Sequence, residues 1–490
     1  MKMLLAVLLA AQAQSFDPYI EQALKDWGCP GAAVAVVKDG KVLVTKGYGV
    51  RELGRPEKVD ENTMFDIASL TKSFTAAAAA TLVDEGKMRW DDPVIRHLPG
   101  FELPDAARTQ TVTMRDLLAH RVGLEPANWV FRFTRYDRAE VLRRLRYLKE
   151  QAPLRTSLIY SNVMYLAAGE AAAHTAGTSY EEMIRTRLIQ PLGMTSTTVG
   201  VPHDQGTNFA RSHGDFGGVT KPMRTAKAMN ILPAGGLNSN ALDMAKWLLF
   251  QLGDGTWKGK RIISAAQMTE MHEPQNIIAT TPQMRANRGF EVYAGYGLGW
   301  QTTAYHGRRM MWHSGSADGM PVYMAIMPED HVGVFVATNT WTAPTLHGAL
   351  VSRILDDLLG FPPRDWSAES LQGYKRAVER DMQALAEIEK ARVPNTSPSR
   401  PLDAYAGTYV DPLYGELTVR REGDGLTLQF ARGETADLTH WQHDTFRVTW
   451  REPVYRENFS TYAAFSIDPK GVVKRLEMRL NRDDVVALRE

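Results

Sequence analysis

Ser69 and Lys72 stand three residues apart where the loop Phe65-Asp-Ile-Ala68 gives way to an alanine-rich run, Ala76–Ala80 followed by Leu82 and Val83. Residues i and i+3 share one helix face, so a hydroxyl and an amine at this spacing point into one cleft. A serine hydroxyl is a weak nucleophile until a base takes its proton, and a lysine serves as that base only where its pKa falls. Burial and the positive end of the helix macrodipole both lower it. The run behind the pair is small and apolar on every side, as a buried central helix requires. Asp66 is its expected cap and Gly86 its expected stop. Taken alone, Ser-x-x-Lys reads more often as a helix cap or a surface pair. The chemistry therefore needs partners.

Two further clusters supply them. In Tyr160-Ser-Asn162 the tyrosine and asparagine lie two apart on an extended stretch and point the same way. The tyrosine serves as a proton relay where a nearby lysine lowers its pKa, and the asparagine holds that lysine or a substrate carbonyl. The plainer reading is that Ser161-Asn162 caps the apolar helix beginning at Val163. His313-Ser-Gly315-Ser316 closes a β-type run that starts at Arg309. Here Gly315 would let a substrate backbone approach the strand, and the Ser316 N–H would join that of Ser69 in an oxyanion hole. His313 would orient a substrate carboxylate or tune the Tyr–Lys pair, although a lone histidine at a strand end is more often ordinary hydrogen-bonded structure.

The elements that must position these residues divide into two groups. Ala32–Val37 and Lys41–Thr45 are β-rich runs joined by Asp39-Gly40, a two-residue hairpin signal. A mainly helical block follows from Asp91 to Arg187. Short strands return at Tyr296–Thr302, Arg309–His313, Pro321–Met327 and Val332–Asn339, ahead of a helix at Leu346–Leu359. This order predicts one α+β domain over residues 16–362, its two ends completing a single antiparallel sheet. The aromatic and basic stretch Trp129–Arg135 reads as an ordinary packed loop, with a cleft wall as the alternative. Residues 363–400 read as a charged helix plus the Pro- and Ser-rich linker Val393–Pro401. Six closely spaced strand signals follow over 401–490: Gly407–Val410, Gly415–Arg421, Leu426–Ala431, Thr445–Trp450, Tyr462–Ile467 and Val472–Leu480. They predict a small all-β, barrel-like domain that supplies no catalytic motif.

The 490 residues carry 57 Lys and Arg against 56 Asp and Glu, a balance that suggests neither nucleic acid nor an anionic membrane as partner. Lys2, the apolar Met3–Ala11 and Ala11-Gln-Ala13 predict an export signal over residues 1–13. No later run reaches the roughly 18 apolar residues that span a bilayer. The expected location is the bacterial periplasm or outside the cell, where the single Cys29 cannot form an internal disulfide and reads as packing.

Ser-x-x-Lys, then Tyr-x-Asn about 90 residues on, then His-x-Gly about 150 later, resembles the serine β-lactamase and penicillin-binding superfamily. Within it the chain resembles the branch around class C β-lactamases, D-aminopeptidases, D-Ala-D-Ala carboxypeptidases and family VIII esterases. Leu117-Leu-Ala-His120, Pro191-Leu-Gly-Met194, Pro233-Ala-Gly-Gly-Leu237 and Tyr296-Gly-Leu-Gly-Trp300 support it, and the terminal β domain resembles an appendage of peptidase-like members. The resemblance implies a β-lactamase/transpeptidase-like fold and a metal-free, cofactor-free acyl-enzyme mechanism on an amide or ester. Ser69 is then the nucleophile, Lys72 its proton acceptor and Tyr160 the general base that also activates the deacylating water. Asn162, His313, Gly315 and Ser316 are substrate contacts, Ser316 through its backbone. Two departures stand out. His-Ser-Gly replaces the Lys-Thr-Gly of true β-lactamases, which removes a permanent positive charge, and Ala119, Arg121 and Val122 alter a loop read as scaffold. The expected activity is therefore peptidase or esterase, D-amino-acid peptides included, ahead of a class C-like β-lactamase. An inactive module binding muropeptides or a protein partner is the alternative of another kind. An α/β-hydrolase lacks its Gly-x-Ser-x-Gly elbow, and a metallohydrolase lacks His-Glu-x-x-His. Substrate identity and oligomeric state carry no readable code.

Overall fold

The computed structural model describes residues 16–201, 206–223, 229–278, 293–452, 455, 461–481 and 483–490. The expected export signal and the loop around Arg285 lie outside the described residues. Eight antiparallel strands form the central sheet: β1 (Gly31–Lys38), β2 (Lys41–Gly49), β3 (Asn276–Ile278), β4 (Ala294–Tyr296), β5 (Gln301–Tyr305), β6 (Arg308–Ala317), β7 (Met320–Met327) and β8 (Val332–Thr338). Their order across the sheet is β3-β4-β5-β6-β7-β8-β1-β2, so the N-terminal hairpin docks on the last strand and both ends of the domain complete one sheet. Asp39 and Gly40 take positive φ at the β1–β2 turn, as a two-residue hairpin requires.

Strand β1 shows why the sheet is covered on both faces. Ala32, Val34 and Val36 enter one apolar cluster with helices α1 (Asp17–Trp27) and Leu346–Leu359. Ala33, Ala35 and Val37 enter the other, with the helical block. Side chains alternate along a strand, so a continuous apolar run serves two layers. At the heart of the helical block lies α2 (Thr71–Asp84), every residue of which is buried from Thr71 to Leu82. It packs against α3 (Asn162–Ala176), itself rich in buried alanines, and small side chains on both helices permit that close approach. On its far side Phe74 stacks on Trp247 of α4 (Ala241–Leu252), with ring centroids 3.7 Å apart.

Beyond α5 (Leu346–Leu359) the long helix α6 (Trp366–Lys390) leads to a closed barrel of eight antiparallel strands: β9 (Gly407–Asp411), β10 (Gly415–Glu422), β11 (Gly425–Phe430), β12 (Thr435–Gln442), β13 (Thr445–Trp450), β14 (Thr461–Ile467), β15 (Val473–Leu480) and β16 (Asp483–Arg489). Six strands were expected. The two extra ones, β12 and β16, are those with weak apolar alternation, and β12 is also broken by a bulge between His440 and Gln442. The Pro-rich connection is held down rather than loose: the Val393 N–H donates to Gln442 Oε1 and the Ser399 N–H to Asp444. The barrel shares one apolar cluster with the helical block through Phe133, whose ring meets Phe430, Trp450 and Tyr455 at 4.9–5.6 Å. Trp129–Arg135 is thus packed, as expected, with a short helix, Val130–Phe133, against the barrel. No described helix is long and apolar enough to cross a membrane.

Because Phe74 is fully buried against Trp247, Phe74→Ala should destabilise the protein by about 3–5 kcal/mol. Chemical denaturation followed by tryptophan fluorescence measures it; a change under about 1 kcal/mol would mean that α2 is not anchored there.

Candidate active site

The turn before α2 is strained. Ala68 has φ 44, a left-handed conformation rare outside glycine, and Asp66 accepts the Ala68 N–H at 2.8 Å to hold it. Asp66 therefore shapes the turn and does not cap the helix, since the capping position falls on Leu70 without a side-chain bond. A single 3-10 turn, Ala68–Leu70, then lifts Ser69 toward the sheet ahead of α2.

Lys72 is fully buried and its Nζ has three neighbours: Ser69 Oγ at 3.0 Å, Asn162 Oδ1 at 2.7 Å and the Ala234 carbonyl oxygen at 2.8 Å. Burial in an apolar setting without a paired carboxylate drives its pKa well below the ordinary lysine range. A neutral amine has two N–H groups and one lone pair. Asn162 Oδ1 and the Ala234 carbonyl only accept, so in the neutral form both N–H groups would go to them and the lone pair would face the Ser69 hydroxyl, 3.0 Å away.

Tyr160 comes to the same place from the start of α3. It borders the same cleft as Ser69, and Lys72 Nζ lies 4.7 Å from its ring centre. The expectation of a lowered phenol pKa is corrected: burial raises it. The cause is the loss of water around the phenol, which disfavours a phenolate. Both readings of Tyr160-Ser-Asn162 hold at once, since Ser161 Oγ caps α3 by accepting the Met164 N–H while Asn162 reaches Lys72.

Strand β6 forms the opposite wall. Two-residue turns of positive φ, His306-Gly307 and Asp318-Gly319, flank it, with Tyr305 opposite Arg308 and Ala317 opposite Met320. In such hairpins the closing pair is hydrogen-bonded and pairs alternate from there. The backbone groups of odd residues 309–317 therefore face β7, and those of Ser314 and Ser316 face the other edge. Pro321 opposite Ser316, with no N–H to give, fits that parity. Since β5 begins at Gln301, paired with Trp312, the edge beyond Trp312 is open. The Ser316 N–H points into it, beside the cleft that Ser69 also borders.

Gly315 has a different role from the expected substrate approach. A Cβ there would stand 2.8 Å from the Ser69 nitrogen and 3.0 Å from Ala68 Cβ. The glycine makes room for the nucleophile turn itself. His313 is buried, with Nδ1 2.6 Å from the Ser314 carbonyl and Nε2 2.9 Å from Tyr296 Oη. A carbonyl only accepts, so Nδ1 carries the proton and Nε2 accepts from the tyrosine. Burial lowers the His313 pKa to about 3, and it stays neutral at physiological pH.

Three positioning residues were given no role by the sequence: His120 and Tyr296 within supporting stretches, and Asn128 outside any motif. His120 Nδ1 accepts the Ser161 N–H at 3.1 Å, and its ring lies 4.2 Å from that of Tyr160, so the loop read as scaffold braces the tyrosine. Asn128 Oδ1 accepts from Asn162 Nδ2 at 3.1 Å, which turns Asn162 Oδ1 toward Lys72. Tyr296 Oη meets His313 Nε2 at 2.9 Å and holds the ring in place. None has a spacing that singles it out; each is brought in by the fold.

The cleft has a volume of about 430 Å³ and is lined by Gln301, His313, Ser314, Ser316, Trp341 and His347 among others. None of its described lining residues is charged at neutral pH, for burial also lowers His347, to about 4. Among the described residues no group of three or more His, Cys, Asp or Glu side chains is placed to hold a metal ion.

The Beta-lactamase family model matches residues 16–357, and a domain of unknown function (DUF3471) matches 391–487. The unguisins hydrolase of Aspergillus campestris is 29% identical over 432 residues, covering 83% of this chain and 77% of that protein. Protein flp of Staphylococcus aureus is 27% identical, covering 66% of this chain and 63% of that protein. Among solved structures, the octameric penicillin-binding protein homologue from Pyrococcus abyssi superposes with a TM-score of 0.62 at 22% identity, covering 96% of this chain and 99% of that one. SurE superposes at 0.59 and 20% identity, covering 98% and 99%.

Gly315→Ala should push β6 away from Ser69, costing about 1–3 kcal/mol of stability and slowing any reaction of the Ser69 hydroxyl. Urea titration and the rate of serine-directed labelling check the two effects; wild-type values for both would show that the close approach is not a constraint.

Proposed function

The chain belongs to the Beta-lactamase family and is a serine hydrolase, and from that premise we propose that it cleaves an uncharged amide or ester through an acyl-enzyme on Ser69. The observation that carries the reading is the buried Lys72, its pKa lowered by burial, with Nζ 3.0 Å from the Ser69 hydroxyl oxygen. Ser69 Oγ attacks the substrate carbonyl carbon while its proton passes to Lys72 Nζ. The backbone N–H groups of Ser69 and Ser316 hold the resulting oxyanion. Tyr160 gives its phenol proton to the departing nitrogen or oxygen, the carbonyl–leaving-group bond breaks, and the Lys72 ammonium returns a proton to Tyr160. In the second half a water attacks the Ser69 ester. Its proton moves to Tyr160 as the phenol proton moves to Lys72, and the ammonium then reprotonates Ser69 Oγ. Lysine and tyrosine finish each cycle as they began it.

The absence of charge in the described cleft wall bears on the substrate. A carboxylate beside the scissile bond, as in a penicillin or a D-Ala-D-Ala terminus, would be desolvated there without a cation to meet it. A peptide bond within a chain or ring, or a neutral ester, carries no such cost. The relatives named as unguisins hydrolases support a hydrolytic role, and His313 in place of a third-motif lysine ranks β-lactamase activity below peptidase or esterase. Asn162, His313 and Gly315 act in this reading by holding Lys72, the open edge of β6 and the nucleophile turn. An exported location remains part of the proposal, on the strength of the N-terminal sequence.

Lys72→Ala should slow acylation by on the order of 10²–10⁴-fold, and wild-type acylation should fall as pH drops through the lowered lysine pKa, because protonation consumes the lone pair. Stopped-flow labelling across pH reads both; a pH-independent rate, or an alanine variant near wild type, would make the lysine structural.

Intact mass after incubation with a fluorophosphonate, a penicillin and a D-Ala-D-Ala peptide tests the whole reading. A fluorophosphonate adduct mapped to Ser69 and lost in Ser69→Ala is expected. A peptide anilide with an amidated terminus should turn over at least about tenfold faster than the same peptide with a free carboxylate, about 1.4 kcal/mol of discrimination. No adduct in folded protein would favour the binding module; preference for the free acid would sink the uncharged-substrate assignment.

A further inference from the structure

The segment from Ala127 to Phe133 lies between the catalytic cleft and the barrel, and it is held on both sides. On the barrel side the Asp483 carboxylate, 2% exposed at the start of β16, accepts the Trp129 N–H at 3.2 Å and the Tyr414 hydroxyl at 2.7 Å. It also lies against the N–H of Asn128. The Phe133 ring sits among Phe430, Trp450 and Tyr455, and Arg432 donates to the Phe131 carbonyl oxygen. On the catalytic side the same few residues reach two parts of the machinery. Asn128 Oδ1 takes the Asn162 amide, which leaves Asn162 Oδ1 for Lys72. Arg132, buried like its partners, donates to Asp318 and to the Tyr455 hydroxyl. Asp318 is the first turn residue after β6, two positions past Ser316.

We propose that the barrel is a positioning element of the active site: Asp483 fixes the backbone at Asn128-Trp129, so that Asn128 sets Asn162 and Lys72, while Arg132 pins the Asp318 turn that carries the Ser316 edge. The physical ground is that an asparagine side chain has rotational freedom unless both its backbone and its amide are held. Here the backbone anchor belongs to one domain and the amide's partner to the other. A buried carboxylate that accepts main-chain N–H groups is a costly device for mere adhesion between domains, which apolar contacts supply more cheaply. Its position, one residue from Asn128, gives the barrel a direct bearing on the base. Asp483 and Arg132 are positioning residues; neither touches the cleft. The barrel, read from the sequence as separable from catalysis, becomes part of how the site is built.

This inference rests on the serine hydrolase reading above, and its test separates the two, because wild-type labelling of Ser69 must be seen before any variant is compared. In the full-length chain, the rate of Ser69 labelling by a fluorophosphonate should fall on the order of tenfold in Asp483→Ala, the rate equivalent of one lost hydrogen bond. Asp483→Asn, which keeps an accepting oxygen, should recover most of that loss. Asn128→Ala should match Asp483→Ala, and the double variant should be no slower than either single one, since both break the same chain. Asp444→Ala, a barrel lesion at Ser399 and Tyr405 away from the segment, should label as wild type. Wild-type labelling by Asp483→Ala with a cooperatively melting barrel would overturn the proposal, as would fully additive losses in the double variant. If Asp483→Ala does not fold, Asn128→Ala decides alone: it leaves the barrel intact, and wild-type labelling there overturns the proposal equally.

Discussion

The structure depends on keeping an amine uncharged in the protein interior. Lys72 lies at the junction of the two layers that the fold brings together, with the buried helix α2 behind it, α3 beside it and the sheet in front. An ammonium in that place would need a carboxylate, and none is supplied; the neighbours are a side-chain amide, a carbonyl, a hydroxyl and the rings of Tyr160 and Tyr165. Burial without a carboxylate is what lowers the amine's pKa, and the protein carries the cost of burying a group that would charge in the unfolded chain.

Neutrality spreads from that constraint. Burial raises the Tyr160 pKa and pushes those of His313 and His347 below the range in which they would charge. The hydrogen-bond donors that remain are oriented by acceptors that have no choice: the Ser314 carbonyl sets the His313 tautomer, and Asn128 sets the face of Asn162. A site without ions holds its geometry through such one-way bonds. The open edge of β6 supplies the one set of unpaired backbone dipoles facing the cleft that hairpin parity dictates.

Much of this was legible in the sequence. Ser69, Lys72, Tyr160, Asn162, His313, Gly315 and Ser316 meet in one place, and the hairpin at Asp39-Gly40, helix α5 and most sheet strands lie where turn chemistry and apolar pattern put them. What failed did so for physical reasons. The direction of the Tyr160 shift depends on how completely the phenol is buried, which only the three-dimensional environment decides. Gly315 serves a backbone approach from a segment some 245 residues earlier, and no local signal records that. His120, Asn128 and Tyr296 act through single hydrogen bonds or ring contacts, and such residues have no periodicity to betray them.

The strands missed in the barrel repay attention for the same reason. β12 and β16 are weakly patterned: the buried positions of β16 are Asp483, Val485 and Ala487, one of them a carboxylate. An apolar residue at 483 would have made the strand easier to read and left the Trp129 N–H without its acceptor. The position where local pattern is weakest is thus where the barrel meets the segment that holds Asn162. Sequences specify folds by agreement among local preferences, and a departure from that agreement marks a residue retained for another task. Asp483 is such a departure: buried, polar, and shared between Tyr414 of its own barrel and the Trp129 backbone of the other domain.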